Sequence, residues 1–126
     1  MVDGTDLARA HASADETKLE TELQAKGLTA PRLTPDLIDA CIVSEAYHVF
    51  PGTTLTVCAL TLRNGFIVTG TSAAASPENF DRSIGEQIAR KNAREQIWAF
   101  EGYLLRERLS AAQAEARGQD DAVRVA

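Results

Sequence analysis

The stretch Ser76–Leu109, SPENFDRSIGEQIARKNAREQIWAFEGYLLRERL, constrains this chain more than any other. It reads as one long helix, with Ser76 as N-cap, Pro77 at the first helical position, and Glu78 and Asp81 where the helix dipole favours anions. At about 100° per residue, Phe80, Ile84, Ile88, Trp98, Leu105 and Leu109 share one face. Ala93, Ile97, Phe100 and Leu104 make a second stripe along the C-terminal half. A helix apolar on two faces needs two surfaces to pack against, its own sheet and, on this reading, a second copy of the chain. Thirty-four residues span roughly 50 Å at about 1.5 Å each, so the helix either kinks near Gly102 or ends on a neighbour.

The sheet is announced by Thr54–Leu62 and Phe66–Ser72, two β-rich runs around Asn64-Gly65, the pair favoured in two-residue type I′ hairpins. That register sets Leu62 opposite Ile67, Leu60 opposite Thr69 and Cys58 opposite Thr71. A lone hairpin is marginal, so a helix is expected on one face and strands of another copy at its edge. Before it, Thr34-Pro35-Asp36 repeats the cap, proline and acid pattern and opens a helix through Ile38, Cys41, Ile42 and Glu45 to about Tyr47. The β-formers Ile42-Val43 and Tyr47-His48-Val49 point the other way. The cap decides for helix, and Pro51-Gly52 then turns the chain. Residues 1–12 are small, polar and aperiodic, and read as disordered. Ser13–Lys26 reads as a short helix with a Ser13/Glu16 capping box, Leu19 and Leu23 on one side and Gly27 as a stop. The expected organisation is therefore a flexible segment over 1–33, an α+β domain over 34–110 and a frayed tail over 111–126. The fold class is α+β: helix, hairpin and long helix, a small antiparallel sheet packed on helices, and an oligomer.

The formal net charge of −5 argues against a broad nucleic-acid surface. The excess of acid is concentrated at the start: residues 1–40 hold eight acids and four bases, whereas residues 41–110 hold seven of each. The folded part can therefore build a basic pocket but no polybasic face. The start, MVDGTDLARAHASADE, has no apolar signal region, and no later run is long enough to span a bilayer. Cys41 and Cys58 stand in apolar contexts without metal spacing and read as reduced core residues. No cofactor or metal motif is present, and neither His11 nor His48 shares a motif with a nucleophile, so binding without catalysis is expected.

SPENF, IARKNAREQIW and EGYLLRERL, preceded by TVCALTLRNGFIVTG, resemble a family of small early proteins of tailed phages, over roughly Thr34 to Leu109. That family is in turn similar to the Thoeris anti-defence proteins of the first type. Those phage sponges sequester cyclic ADP-ribose-like immune signals, and some also bind cyclic oligonucleotides. The resemblance implies a homo-oligomer, a dimer or a higher assembly such as a hexamer, in the cytoplasm of the infected bacterium.

A nucleotide-like signal offers a flat base, ribose hydroxyls and a diphosphate, which match an aromatic ring, an amide and guanidinium forks. By motif position the resemblance implies Phe80 and Asn92 as the ring and amide that hold the signal between subunits. Arg90 and Arg94 surround that asparagine, Arg63 and Arg106 are further candidates, and the first helical turn offers backbone N–H groups to an anion. Each has a plainer reading. Phe80 shares a stripe with Ile84 and Ile88 and suits a core. Asn92 suits a helix–helix polar contact equally well. The arginines suit surface pairs with nearby acids. Trp98 and Tyr103 suit a dimer contact, and Gly102 suits close approach of a partner. The rival function is a protein–protein adaptor or inhibitor of a host enzyme acting through the long helix.

Overall fold

The computed structural model describes residues 14–28 and 30–125, with side chains through 118. Ser13 and the segment 1–12 lie outside the described residues. The elements are α1 (Ala14–Ala25), α2 (Pro35–Ala40), β1 (Ile42–Val49), β2 (Leu55–Leu62), β3 (Ile67–Ala73), a 3-10 turn (Pro77–Asn79) and α3 (Arg82–Val125). The strands form an antiparallel sheet in the order β1-β2-β3, and α3 lies across one face of β2 and β3. The chain is α+β, as its sequence suggests.

The Thr34 cap works as read: its side chain accepts the Leu37 N–H, and Pro35 occupies the first helical turn. The helix ends at Ala40, however, and not near Tyr47. The β-branched and aromatic residues that follow prevail, because extended backbone seats them beside β2 with a period of two. Glu45, Tyr47 and Val49 turn towards α3, while Ser44, Ala46 and His48 face away. Thus β1 fills the edge of β2 that a partner strand was expected to fill. The turn at Pro51-Gly52 is as read, with Gly52 at a φ of 75°.

The hairpin register is one residue away from the type I′ expectation. Leu62 donates to the Phe66 carbonyl and Gly65 donates to the Leu62 carbonyl, both at 2.8 Å. Arg63-Asn64-Gly65 is therefore a three-residue loop, and Gly65, at a φ of 87°, supplies the left-handed residue that such loops need. Leu60 pairs with Val68, and Cys58 with Gly70. A one-residue shift exchanges the faces of β3. Val68 and Gly70 go inward, and Ile67, Thr69 and Thr71 go outward.

The long helix also starts later than its sequence suggests. Pro77–Asn79 make only a 3-10 turn, Ser76 makes no cap to the backbone, and Phe80 is extended. Asp81 is the working cap, its carboxylate accepting the Ile84 N–H at 2.9 Å. From Arg82 the helix runs without a break at Gly102 to Val125. Fraying after Ser110 is not seen; Ala, Gln, Glu and Arg there are strong helix formers that need no apolar partner.

The face that α3 buries is not the bulky stripe of Ile84 and Ile88, which are 56% and 45% exposed. It is Gly85, Ala89, Ala93 and Ile97 at intervals of four. The reason lies in Gly70. A Cβ added there would meet the Ala89 carbonyl oxygen and the Ala93 amide nitrogen and lie 2.9 Å from the Ala93 Cα, so backbone packs on backbone. At Gly102, by contrast, an added Cβ would meet within the chain only Leu33, at an ordinary 3.7 Å. The core is Ile38, Cys41, Cys58, Leu60, Leu62, Val68, Ala89, Ala93 and Ile97. Of the second stripe, Ala93 and Ile97 are covered by the chain's own sheet, while Phe100 and Leu104 remain exposed.

Candidate functional site

Asn92 and Arg90 leave α3 on opposite sides. The Asn92 amide donates to the Thr71 carbonyl at 2.9 Å, on the outer edge of β3. One turn on, the Gln96 amide donates to the Thr69 carbonyl. On the other flank, Arg90 Nε donates to Glu45 Oε2 at 2.9 Å, and both side chains are about nine-tenths buried. The Phe80 ring lies 3.9 Å from where a Gly85 Cβ would stand, at the start of α3; the Thr56 side chain near that point belongs to the central strand, paired with Val49 of β1 and Ser72 of β3. The first turn of α3 already holds an anion, the Asp81 carboxylate.

Arg94 and Arg63 are also occupied within the chain. Arg94 is buried, with Nη1 on both Glu16 oxygens at 2.7 and 2.9 Å and Nε on Asp39 Oδ1 at 2.8 Å. Burial disfavours its charge, but Glu16 and Asp39 outweigh that and hold its proton more tightly than usual. Arg94 thereby ties α1 and α2 to α3. Arg63 binds Glu101 at 3.0 Å and donates to Cys41 Sγ at 2.6 Å, near the hairpin turn. Arg106 is exposed on α3. Asn92 therefore sits on the β3 side, Arg90 and Arg94 face the β1 and α1 side, Arg63 sits at the hairpin turn, Phe80 lies at the start of α3 and Arg106 is exposed further along it. The six candidates are spread over these places in one protomer.

Two clefts are large enough for small molecules. One, about 530 Å³, follows β1 and is lined by Asp39, Ile42, Val43, Ser44, Glu45 and Arg90. Val43 sits there at a register shift of the β1–β2 pairing. The other, about 440 Å³, lies between α1 and α3 and includes Leu19, Leu23, Leu33, Pro35, Lys91 and Trp98. Trp98 is thus half-buried within its own chain, while Tyr103 is 71% exposed. Sequence reasoning missed Glu16, Asp39, Glu45 and Glu101 as arginine partners and Gln96 as a second amide on the β3 edge beside Asn92. An amide pair four residues apart on one helix was the available signal for the last. The thiols are free and buried; burial pushes Cys58 up to about 11, against a hydrogen bond with Tyr47 that lowers it.

A family model describing the phage protein (N4 Gp49/phage Sf6 gene 66) family matches residues 33–109. The chain belongs to that family. The match runs from just before α2 to the part of α3 that carries Phe100 and Leu104, so it includes the whole sheet, both sides of the helix and all six candidate residues. No curated protein and no solved structure matches the chain. Among the described residues, no helix is long and apolar enough to cross a membrane, and no cluster of His, Cys, Asp or Glu is arranged to hold a metal ion.

Proposed function

We propose that this phage protein is an anti-defence sponge that binds a nucleotide-derived immune signal without converting it. The signal class is a cyclic ADP-ribose isomer, with cyclic oligonucleotides as a second class. The sponge works as a homo-oligomer in the cytoplasm of the infected bacterium. Membership of a phage family and the motif resemblance to Thoeris anti-defence proteins support this reading. The observation that carries it is Asn92, an exposed amide at the outer edge of β3. It can offer paired hydrogen bonding to a flat ligand, and the half-buried Phe80 ring at the start of α3 can offer stacking. Arg63, Arg90 and Arg94, held by carboxylates, would serve a phosphate only by exchanging partners, as Arg90 can at the 530 Å³ cleft.

The test is to incubate the protein with an extract containing TIR-generated signal, remove unbound small molecules, denature by heat and weigh what is released. Recovery of intact ligand in stoichiometric amount is the expected result. Cleaved ligand under multiple turnover would make the protein a hydrolase, and no ligand at all would favour the second reading. That reading, an adaptor or inhibitor of a host enzyme, draws support from Phe100, Tyr103 and Leu104, exposed on α3.

A further inference from the structure

We propose that the outer face of the sheet is where two copies of the chain meet, stacked face to face about a two-fold axis. The inference concerns the homo-oligomer in the reading above and fixes which surface builds it; no ligand enters the argument. The helix α3 covers the face of Thr56, Cys58, Leu60 and Leu62. The opposite face carries the alternate residues of each strand, and no secondary-structure element of the described chain packs on it.

Three properties of that face point to a second copy. First, β2 reads LTVCALTL, so its outward positions Leu55, Val57, Ala59 and Thr61 hold three apolar residues in four, as do its inward ones. An antiparallel sheet with one face in water alternates apolar with polar, whereas a strand covered on both faces reads as a nearly continuous apolar run. Second, the outward positions of all three strands hold no Asp, Glu, Lys or Arg, in a chain that is 25% charged. Two such faces can meet without burying a charge or opposing like charges, which makes the surface complementary to itself. Third, the middle row is Ala46, Ala59 and Thr69. These side chains are short enough for sheets to stack at about 10 Å, with Ile67 standing proud near one end.

The area sets the strength. Three strands about 4.8 Å apart and about seven residues long give a footprint of roughly 350 Å² per copy. That lies below the usual size of a permanent interface and implies association that dilution reverses. Sedimentation equilibrium from low micromolar to sub-millimolar protein tests it. The mass should rise from 13.6 kDa towards twice that value. Val57→Lys and Ile67→Lys, on different strands, should each hold it at the monomer value with the circular-dichroism melt retained, and Leu104→Glu should leave the rise intact. If one lysine variant fails to fold, the other decides. A rise that survives the folded lysine variants but is lost in Leu104→Glu would place the interface on the helix and overturn this inference alone. A mass of 13.6 kDa at every concentration would overturn both it and the homo-oligomer reading.

Discussion

The Asn92 amide donates to the Thr71 carbonyl on the one edge of β3 that no strand covers. Because Leu62 bonds Phe66 across the hairpin, the even residues of β3 turn their backbone groups towards β2, and Ile67, Thr69 and Thr71 turn theirs outward. Two of those outward carbonyls, at Thr69 and Thr71, are taken by Gln96 and Asn92. An open edge is a template for further strands, and these two amides close it.

The first prediction follows from that pair. Asn92→Ala should cost about 0.5–1.5 kcal/mol of stability, the net value of one such hydrogen bond. Together with Gln96→Ala it should expose the edge and promote concentration-dependent aggregation, followed by light scattering during mild heating. Loss of signal binding by a folded, unaggregated Asn92→Ala protein would give the amide a ligand role in addition. An unchanged melt in both variants would remove its structural role.

Gly70 is what lets those amides reach. Its missing side chain brings the α3 backbone onto β3 at Ala89 and Ala93. In Gly70→Ala the new methyl would meet backbone, which cannot swing aside, so a loss of about 3 kcal/mol or more is expected. Gly102→Ala should be nearly neutral by comparison, because its Cβ would touch only Leu33 at 3.7 Å. Paired urea titrations check the contrast, and equal midpoints would refute it.

The same contrast marks what was legible in the sequence. Most local signals were read correctly: Thr34 caps, Gly52 turns and Asn64-Gly65 reverses the chain, but Ser76 does not cap the long helix and Asp81 does. Lengths and registers were not, because they depend on what lies opposite. The Thr34 cap starts a helix but cannot hold it past Ala40 against β-formers that have β2 to pair with. The hairpin slipped by one residue because the same Asn-Gly pair suits a two- or a three-residue loop. On α3, ranking by bulk selected Ile84 and Ile88, although a strand with Gly70 in its middle calls for alanine opposite it. As for the candidate site, residue types were visible, but Glu45, Asp39 and Glu16 come from distant segments. Nothing local to Arg90 or Arg94 announces them.

Arg94 should behave as the clamp for α1. Its partners Glu16 and Asp39 are mostly buried, so removing the guanidinium takes a buried ion pair from each of them. Arg94→Met should therefore cost on the order of 3 kcal/mol. The sole tryptophan, Trp98, lines the cleft beneath α1 and reports the release as a red-shifted emission. An emission spectrum matching that of the unchanged protein would show that α1 is held by other contacts.

A pH dependence follows at the other end of α1. Arg32 grips both Glu20 oxygens, at 2.7 and 2.8 Å, and holds that carboxyl below its ordinary value of 4.5. A depressed carboxylate contributes fully above its ordinary value, and the contribution disappears as pH falls through the depressed one. Emission from Trp98 should thus be flat from neutral pH to about 4.5 and shift below it. Glu20→Gln should weaken the docking of α1 already at neutral pH and flatten the acid step; an acid step of unchanged midpoint and size would remove Glu20 from the linkage.

The thiols give the last prediction, with the opposite sign. Burial pushes Cys58 up to about 11, and burial with the nearby Glu101 carboxylate raises Cys41 as well, although Arg63 partly opposes that. Thiolate is the reactive form, and both sulfurs belong to fully enclosed residues, so neither should react with a thiol-exchange reagent at pH 8 in the folded protein. Both should react once urea has unfolded it. A raised thiol favours the fold while it stays protonated. The Cys58 contribution is complete below the ordinary value near 9 and is lost as pH rises through about 11. Cys58→Ala should therefore lower the urea midpoint at pH 7 through the cavity it leaves, while flattening the decline between pH 9 and pH 11. Rapid labelling of Cys58 at pH 8 under native conditions would show that the core beneath α3 opens more readily than its packing implies.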